Sequence, residues 1–383
     1  MRSYQGRRKL EQQLAAAIVA LVLVALVVFT SLPAGAAPIG FTPTPRDGWD
    51  TNGTVYATKI VGDTLYLGGS FTQVRSASGQ VEARTNLAAV SLDTGALLPF
   101  RADTDTPVRA IEGDGTTVWV GGSFSKVNGA YRRRIAALDP ATGQVSTRYK
   151  VGVSSTVYAI EKGPSALYLG GGFGNSANTG LPYLVKVDPA TGAIDTSFAP
   201  RPNAAVRALA LSGDRLIVGG DFTSISGVAR SYVTALSAAD ATVVGGDFTP
   251  TATGKAFAVD VSPDGSVVYA GLGGAANRVI AWNAVTGARL WRHVAMGDVQ
   301  AIRLVGGKVY FGFHEGFAGD TTVRLLAVDA AAGTLDPSFR PTVDSFWGVW
   351  AIDGTADALV AGGQFTTVQN VPTRGIASFA PAG

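Results

Sequence analysis

LYLGGSFTQV, residues 65–74, is written again as VWVGGSFSKV from Val118, LYLGGGFGNS from Leu167, LIVGGDFTSI from Leu216 and LVAGGQFTTV from Leu359. The Gly-Gly-x-Phe signature therefore starts at Gly68, Gly121, Gly170, Gly219 and Gly362. The first four copies lie roughly 50 residues apart, and the longer gap before the last has room for two more. VVYAGLGG at Val267 and KVYFGFHE at Lys308 stand there with the signature decayed. A second marker gives the same count: an alanine closing a V-x-A or similar triplet at Ala57, Ala110, Ala159, Ala208, Ala258, Ala301 and Ala351. Seven copies of this length belong to the propeller or solenoid class.

Each copy reads as four short strands, as in PVRAIEG, TVWVGGSF, RRIAALD and STRYKV of the second. GDT, GDGT, SGD, PDG and GGK are tight hairpin signals between the first two. D-x-x-T-G, as in LDPATG at Leu138, turns the chain into the fourth. The middle strands are apolar on both faces, as sheets covered by neighbours on either side require. The ends argue for a ring over an open stack, which would carry polar caps. The seventh copy stops after its third strand at GIASFAPAG, while PIGFTPTP near the N-terminus matches the fourth-strand endings DTSFAPRP and DPSFRPTV. Residues 38–45 are thus expected to complete the last blade and leave no free edge. The expected fold is all-β: a seven-bladed β-propeller of four-stranded antiparallel blades, closed by an N-terminal strand.

GGSFSKVNGAYRRRIAALDPATG and VDPATGAIDTSFAPRPNAAVRAL resemble the bacterial delta-sixty-type β-propeller repeat, over essentially the whole chain beyond residue 36. Copies five and six depart from that pattern. VIAWNAVTGARLWRHV in copy five is similar instead to quinoprotein-type propeller repeats. The delta-sixty resemblance implies the fold and export. It supplies no active site, because that family is mostly of unassigned function.

The first 36 residues read differently. Arg2, Arg7, Arg8 and Lys9 precede an apolar run from about Leu14 to Phe29, and Ala34-Gly35-Ala36 has the small-x-small form of a signal-peptidase site. An uncleaved anchor is the alternative, since a run of about 16 residues approaches spanning length. The organisation expected is a signal peptide over 1–36 and a single propeller domain over 37–383, secreted and not embedded in a membrane. With Glu11, the leader carries a net +3, which is the whole chain's net charge. The remainder is neutral and has no electrostatic reason to bind nucleic acid or anionic lipid. The chain has no cysteine, which excludes disulfides and a lipobox anchor. Abundant alanine, and arginine in preference to lysine, hint at a GC-rich bacterial genome.

Candidate chemistry is sparse. The Gly-Gly pairs lack the Lys-Ser/Thr and following helix of a phosphate loop, so they are expected to permit a bulge or close sheet-to-sheet approach, with the Phe packed between blades. Arg84, Arg132 to Arg134, Arg230, Arg278, Arg324 and Arg374 recur near the third strand, where forked guanidinium groups tie loops together more often than they ring an anion. Asp103 and Asp105 begin like a calcium loop but lack its later Gly and Glu. The histidines, His293 and His314, have no metal-ligand spacing. No cofactor is called for.

The informative positions are those where the repeat breaks. Copy six replaces its signature with Gly312-Phe313-His314-Glu315, the connection into copy seven carries Asp344, Phe346 and Trp347, and that into copy one carries Trp49 beside Asp50. In a closed ring these copies are neighbours. Trp49, Asp50, His314, Glu315, Asp344 and Trp347 are therefore expected to gather on one face. Aromatic faces flanked by hydrogen-bonding acids suit a sugar. The alternative is that the tryptophans cover the closure seam. The expected function is an exported binding or scaffolding module for an extracellular or cell-envelope glycan or protein. A propeller enzyme of quinoprotein or polysaccharide-cleaving type and a purely structural domain are the rivals.

Overall fold

The computed structural model describes residues 40–274 and 276–383. Residues 1–39, with the expected export signal and the first two residues of the expected closing strand, lie outside that range. The described chain is all-β and contains no helix. Seven three- or four-stranded antiparallel sheets follow one another, and smaller two- and three-stranded ribbons decorate them. Their inner strands are Thr54–Val61, Val108–Gly113, Val157–Lys162, Val206–Ser212, Lys255–Val261, Val299–Val305 and Gly348–Gly354. Each inner strand packs on the next, and that of the seventh sheet packs on that of the first.

The V-x-A triplet is a structural device. In all seven sheets the pairing between first and second strand slips there, between Val55 and Ala57 in the first sheet and between Val349 and Ala351 in the seventh. A β-bulge re-aims one side chain and sharpens the local twist. Opposite it, the second glycine of the signature lies against the carbonyl of the residue before the valine, Thr54 for Gly69 and Pro107 for Gly122, with no room for a side chain. The first glycine faces outward, to the next sheet. A methyl group at Gly68 would stand 2.7 Å from Val108 Cγ1, and one at Gly362 would stand 2.7 Å from Val55 Cγ1.

The core is distributed between sheets. Seven apolar clusters each join neighbouring sheets; the one at the last junction holds Val55, Leu65, Leu67 and Val90 of the first sheet with Val360 and Ile376 of the seventh. The signature Phe residues 71, 124, 173, 222 and 365 are buried in these clusters, as expected. A second ring accompanies them. Tyr66 packs edge-on to Phe100 at 5.3 Å, and Tyr168 on Phe198 at 5.5 Å. Their polar ends reach the next sheet: Tyr66 Oη donates to the Pro140 carbonyl at 2.9 Å, Trp119 Nε1 to Pro189 at 3.1 Å and Tyr168 Oη to Ala238 at 2.7 Å.

Two expectations change. The fourth strand is regular only in the fourth, fifth and seventh sheets. In the other four sheets it shrinks to one bridge, Leu138 with Val145 for instance. In the third and sixth sheets, D-x-S turns after the bridge have Asp195 and Asp336 accepting from the Ser197 and Ser338 N–H groups. They send Phe198 and Phe339 inward. The chain gives up ladder bonds there and gains a buried ring.

The N-terminal segment does pair with the last strand, Phe41–Arg46 against Ile376–Pro381. Its register is not that of the S-F-x-P endings, however. Pro45 sits opposite Phe379, and Phe41 packs on Tyr310 at 5.6 Å, toward the sixth sheet. The ring that Phe100 or Phe339 supplies elsewhere is therefore not supplied by Phe41.

If the first glycine of each pair sets the spacing between sheets, Gly121→Ala and Gly362→Ala should each cost about 1–3 kcal/mol through overpacking. Gly174→Ala, where nothing lies within 4 Å, should stay within about 0.5 kcal/mol. Urea unfolding of the three variants checks this.

Candidate functional site

The bulges aim one residue per inner strand toward the middle of one face: Tyr56, Arg109, Tyr158, Arg207, Phe257, Gln300 and Trp350. Several meet. Tyr56 packs edge-on to Trp350 at 5.7 Å, and the Arg109 guanidinium lies 3.8 Å over the Tyr56 ring. Arg207 sits 5.4 Å from the Tyr158 ring and 5.1 Å from that of Phe257, while both its Nε and Nη2 bond Asp221 at 2.7 Å. With its amide oriented to satisfy both groups, Gln300 donates to the Val349 and Trp347 carbonyls. Arg109 has no ion pair or hydrogen bond among the described residues, so its donors are free. The variable letter inside V-x-A marks this belt, and sequence reasoning used only the alanine.

From Trp350 the aromatic surface continues outward. Trp347 lies 6.4 Å from Trp350 and 5.2 Å from Phe346, and the His314 ring is within 5.8 Å of both Phe346 and Trp347. Phe346 and Trp347 are 54% and 46% exposed, a high cost for such rings unless something covers them. They stand beside a cleft of about 730 Å³, whose lining includes Met296, Glu315, Thr322, Thr342, Phe346 and Asn370. His314 Nε2 accepts the Asp298 backbone N–H at 3.0 Å, so the neutral ring carries its proton on Nδ1, 3.6 Å from Glu315 Oε1. Glu315 holds a left-handed φ of 66° at the broken signature and lines the cleft.

His314, Glu315 and Trp347 are thus brought together, and Asp344 lies beside them. Asp344 is already committed, accepting the Thr366 N–H and hydroxyl. Asn52, Asp105 and Asn203 hold the equivalent loops in the same way. Its carboxylate is held down by these bonds, after burial has been offset. Asp103, the other acid of the calcium-like stretch, accepts the Thr85 N–H.

Trp49 and Asp50 do not join the group. The Trp49 indole N–H donates to the Gly95 carbonyl at 2.9 Å. Gly95 follows the third strand of the first sheet at its Ser91 end, which pairs with Thr64, away from the Gly68 end where the signature loops lie. Asp50 is ion-paired to Arg75 at 2.6 Å. Both residues line a separate cavity between the first and seventh sheets. The connecting chain doubles back along the outer edge because Phe41–Arg46 must first complete its pairing.

Several of the third-strand arginines bind carbonyls, while Arg278 donates to the Thr253 hydroxyl and Arg230 pairs with Asp247. Arg84 donates to Ala83 and Leu98, Arg132 to Tyr131 and Ser146, and Arg324 to Val323. His293 is pinned by the Gly333 carbonyl at 2.6 Å.

Two residues beyond each bulge alanine lies a layer of charge: Lys59, Glu112, Glu161, Asp260, Arg303 and Asp353, with Ala210 in the fourth sheet. Lys59 pairs with Glu112 at 2.8 Å and Arg303 with Asp353 at 3.1 Å. Three carboxylates accept a backbone N–H from the next inner strand, Glu161 from Leu211, Asp260 from Leu304 and Asp353 from Ile60. Burial works against the Lys59 ammonium, but Glu112 and Asp353 outweigh it and raise its pKa. Glu161 has no cation of its own. Burial, and then the Glu112 charge, push it up to about 8, and burial likewise raises Asp260.

No family model and no curated protein sequence matches the chain. Solved structures do. The WD40 β-propeller domain of Doa1 matches at a TM-score of 0.58 and 10% identity, over 88% of this chain and 96% of that one. The computationally designed Ika8 protein matches at 0.56 and 14% identity, over 89% and 100%. At these identities the likeness shows the fold alone. The chain is a repeat protein with a β-propeller fold.

The Glu161 carboxyl gives a pH test. Its folded pKa lies above its unfolded value, so the folded state holds the extra proton between about 4.5 and about 8. The contribution of this group is full below the lower value and is lost as pH rises through the upper one. Glu161→Gln should therefore raise the melting temperature at pH 8.5 while changing it little at pH 5, read by calorimetry across that range.

Proposed function

We propose that the chain is an exported, seven-bladed β-propeller that binds an extracellular or cell-envelope glycan on the face carrying Phe346 and Trp347. The observation that carries this is the pair of adjoining aromatic rings, each about half exposed, where the repeat abandons its own signature. Trp347 and Phe346 offer faces for stacking on a sugar ring. Glu315, Thr322, Thr342 and Asn370 supply donors and acceptors around the cleft. A protein partner on the same face is the neighbouring reading, and the quinoprotein-like copy gains no support from this site. The signal-peptide form of residues 1–36 is the basis for export.

Ring closure is part of the same proposal. The pairing of Phe41–Arg46 with the last strand and the shared core of the first and seventh sheets support it. Deleting residues 40–46 should expose the Ile376–Pro381 edge and lower the melting temperature sharply, with aggregation on heating. An unchanged melting curve would show that the segment closes nothing.

Binding is tested by screening the protein on a glycan array and titrating the best hit calorimetrically. Trp347→Ala and Phe346→Ala should each weaken it about tenfold or more, with little loss of stability. A hit that binds both variants as tightly as the parent would remove this face from consideration.

A further inference from the structure

Between adjacent sheets the repeat writes a ring on the second strand, and that ring fills the junction. Tyr66, Trp119, Tyr168, Tyr269 and Tyr310 hold this position in five sheets. Beyond the donors already described, Tyr269 and Trp291 both donate to Ala330 at the next junction. The fourth sheet has Ile217 instead, but there the fifth sheet fills the gap from the opposite side. Trp282, fully buried on its third strand, packs 5.3 Å from Phe248 and donates to Thr251 Oγ1.

At the junction of the seventh and first sheets neither of these two strand positions carries a ring, and the rings that pack on the cluster there are Phe71 and Trp49. Val360 stands at the tyrosine position, and Val90, the register counterpart of Trp282, stands opposite. Phe41, displaced in register, faces the sixth sheet. A cavity of about 400 Å³ is left, floored by Leu65, Leu67, Val90 and Ile376, with Trp49 as one wall. Val360 packs in the same cluster as those four residues. Leu92 also lines the cavity. Its carbonyl is the counterpart of those of Pro140, Pro189, Ala238 and Ala330, and it accepts no hydrogen bond from the described residues. The Trp49 indole is fixed three residues further along, on the Gly95 carbonyl. The Asp50–Arg75 ion pair stands at the same cavity's edge.

We propose that this junction is a small-molecule site for a single aromatic ring bearing a hydrogen-bond donor, a phenol or an indole. The cavity has the apolar floor and the waiting acceptor that the missing tyrosine side chain would have used. The floor of Leu, Ile and Val takes up the face of a ring because water gains little there, while Arg46, Ser91, Thr373 and Ser378 make the rim polar. An acceptor at its wall selects among rings for one with an O–H or N–H. The site is separate from the face carrying Trp347, so the two proposals stand or fall independently.

Para-cresol, indole and toluene are the probes, added to the protein and followed by ligand-observed NMR and by the melting temperature. Para-cresol and indole should bind with dissociation constants below about 1 mM and raise the melting temperature. Toluene, isosteric with para-cresol but for the hydroxyl, should bind about tenfold more weakly. Val360→Tyr should fill the cavity, abolish para-cresol binding and itself raise the melting temperature. Val90→Trp, which copies Trp282 from the opposite side, gives the same readout if the first variant does not fold. No binding of para-cresol or indole, equal binding of toluene, or binding that survives both filled variants would each overturn the proposal.

Discussion

A valine methyl lodged where a glycine has no side chain sets the distance between one sheet and the next. Val108 against Gly68, Val157 against Gly121 and Val55 against Gly362 are the same contact made at different junctions. Dispersion falls off steeply over a fraction of an ångström, so the apolar clusters between sheets close only if that approach is allowed. The aromatic latches depend on it in turn: Tyr66 reaches the Pro140 carbonyl, and Tyr168 that of Ala238, because the sheets are this close. The bulge at V-x-A belongs to the same constraint. By slipping the ladder it leaves the second glycine pressed on a carbonyl and swings one residue per sheet toward the central face.

The inner strands pay for their proximity in charge. Six ionisable side chains from six strands converge two residues below the bulge, and burying such groups is costly unless each is paired and hydrogen-bonded. Two ion pairs and three backbone N–H donors satisfy most of them. Each of those N–H bonds crosses from one sheet to the next, so the layer holds neighbours in register as well as compensating charge. Glu161 is the member whose compensation is incomplete: only Leu211 N–H reaches it, and Glu112 repels it. Burial therefore raises its pKa, as it does that of Asp260.

Much of this was legible from the residues. Gly-Gly-x-Phe and V-x-A counted the sheets and marked the bulges, because both are backbone requirements that only a few side chains can meet. Register was harder. PIGFTPTP looks like DTSFAPRP, yet Phe41 faces the sixth sheet, since a strand joined from the other end of the chain need not enter at the same phase. The candidate site was half legible. His314, Glu315 and Trp347 do assemble, being carried by loops at the same end of adjacent sheets. Trp49 does not, because its connection follows the outer edge and finds the Gly95 carbonyl. Asp344 is not exceptional: Asp105 does the same loop-holding work, and so do Asn52 and Asn203 with a different letter.

A repeat fold is most informative where it fails to repeat, but the failures are of two kinds. Some exchange one residue for another with the same task, as Asp344 does for Asn203 or Trp282 for a missing tyrosine. These cost the structure nothing and need no ligand to account for them. Others leave something undone: two aromatic rings half in water at Phe346 and Trp347, and a junction at Val360 where neither the second-strand nor the third-strand position carries a ring. Exposed rings and unfilled cavities both forfeit contacts that the other junctions show this sequence can make. A chain that solves the same packing problem repeatedly with tyrosine, tryptophan and phenylalanine has the means to solve it here as well. The two places where it does not are therefore where the protein has surface to offer to something else.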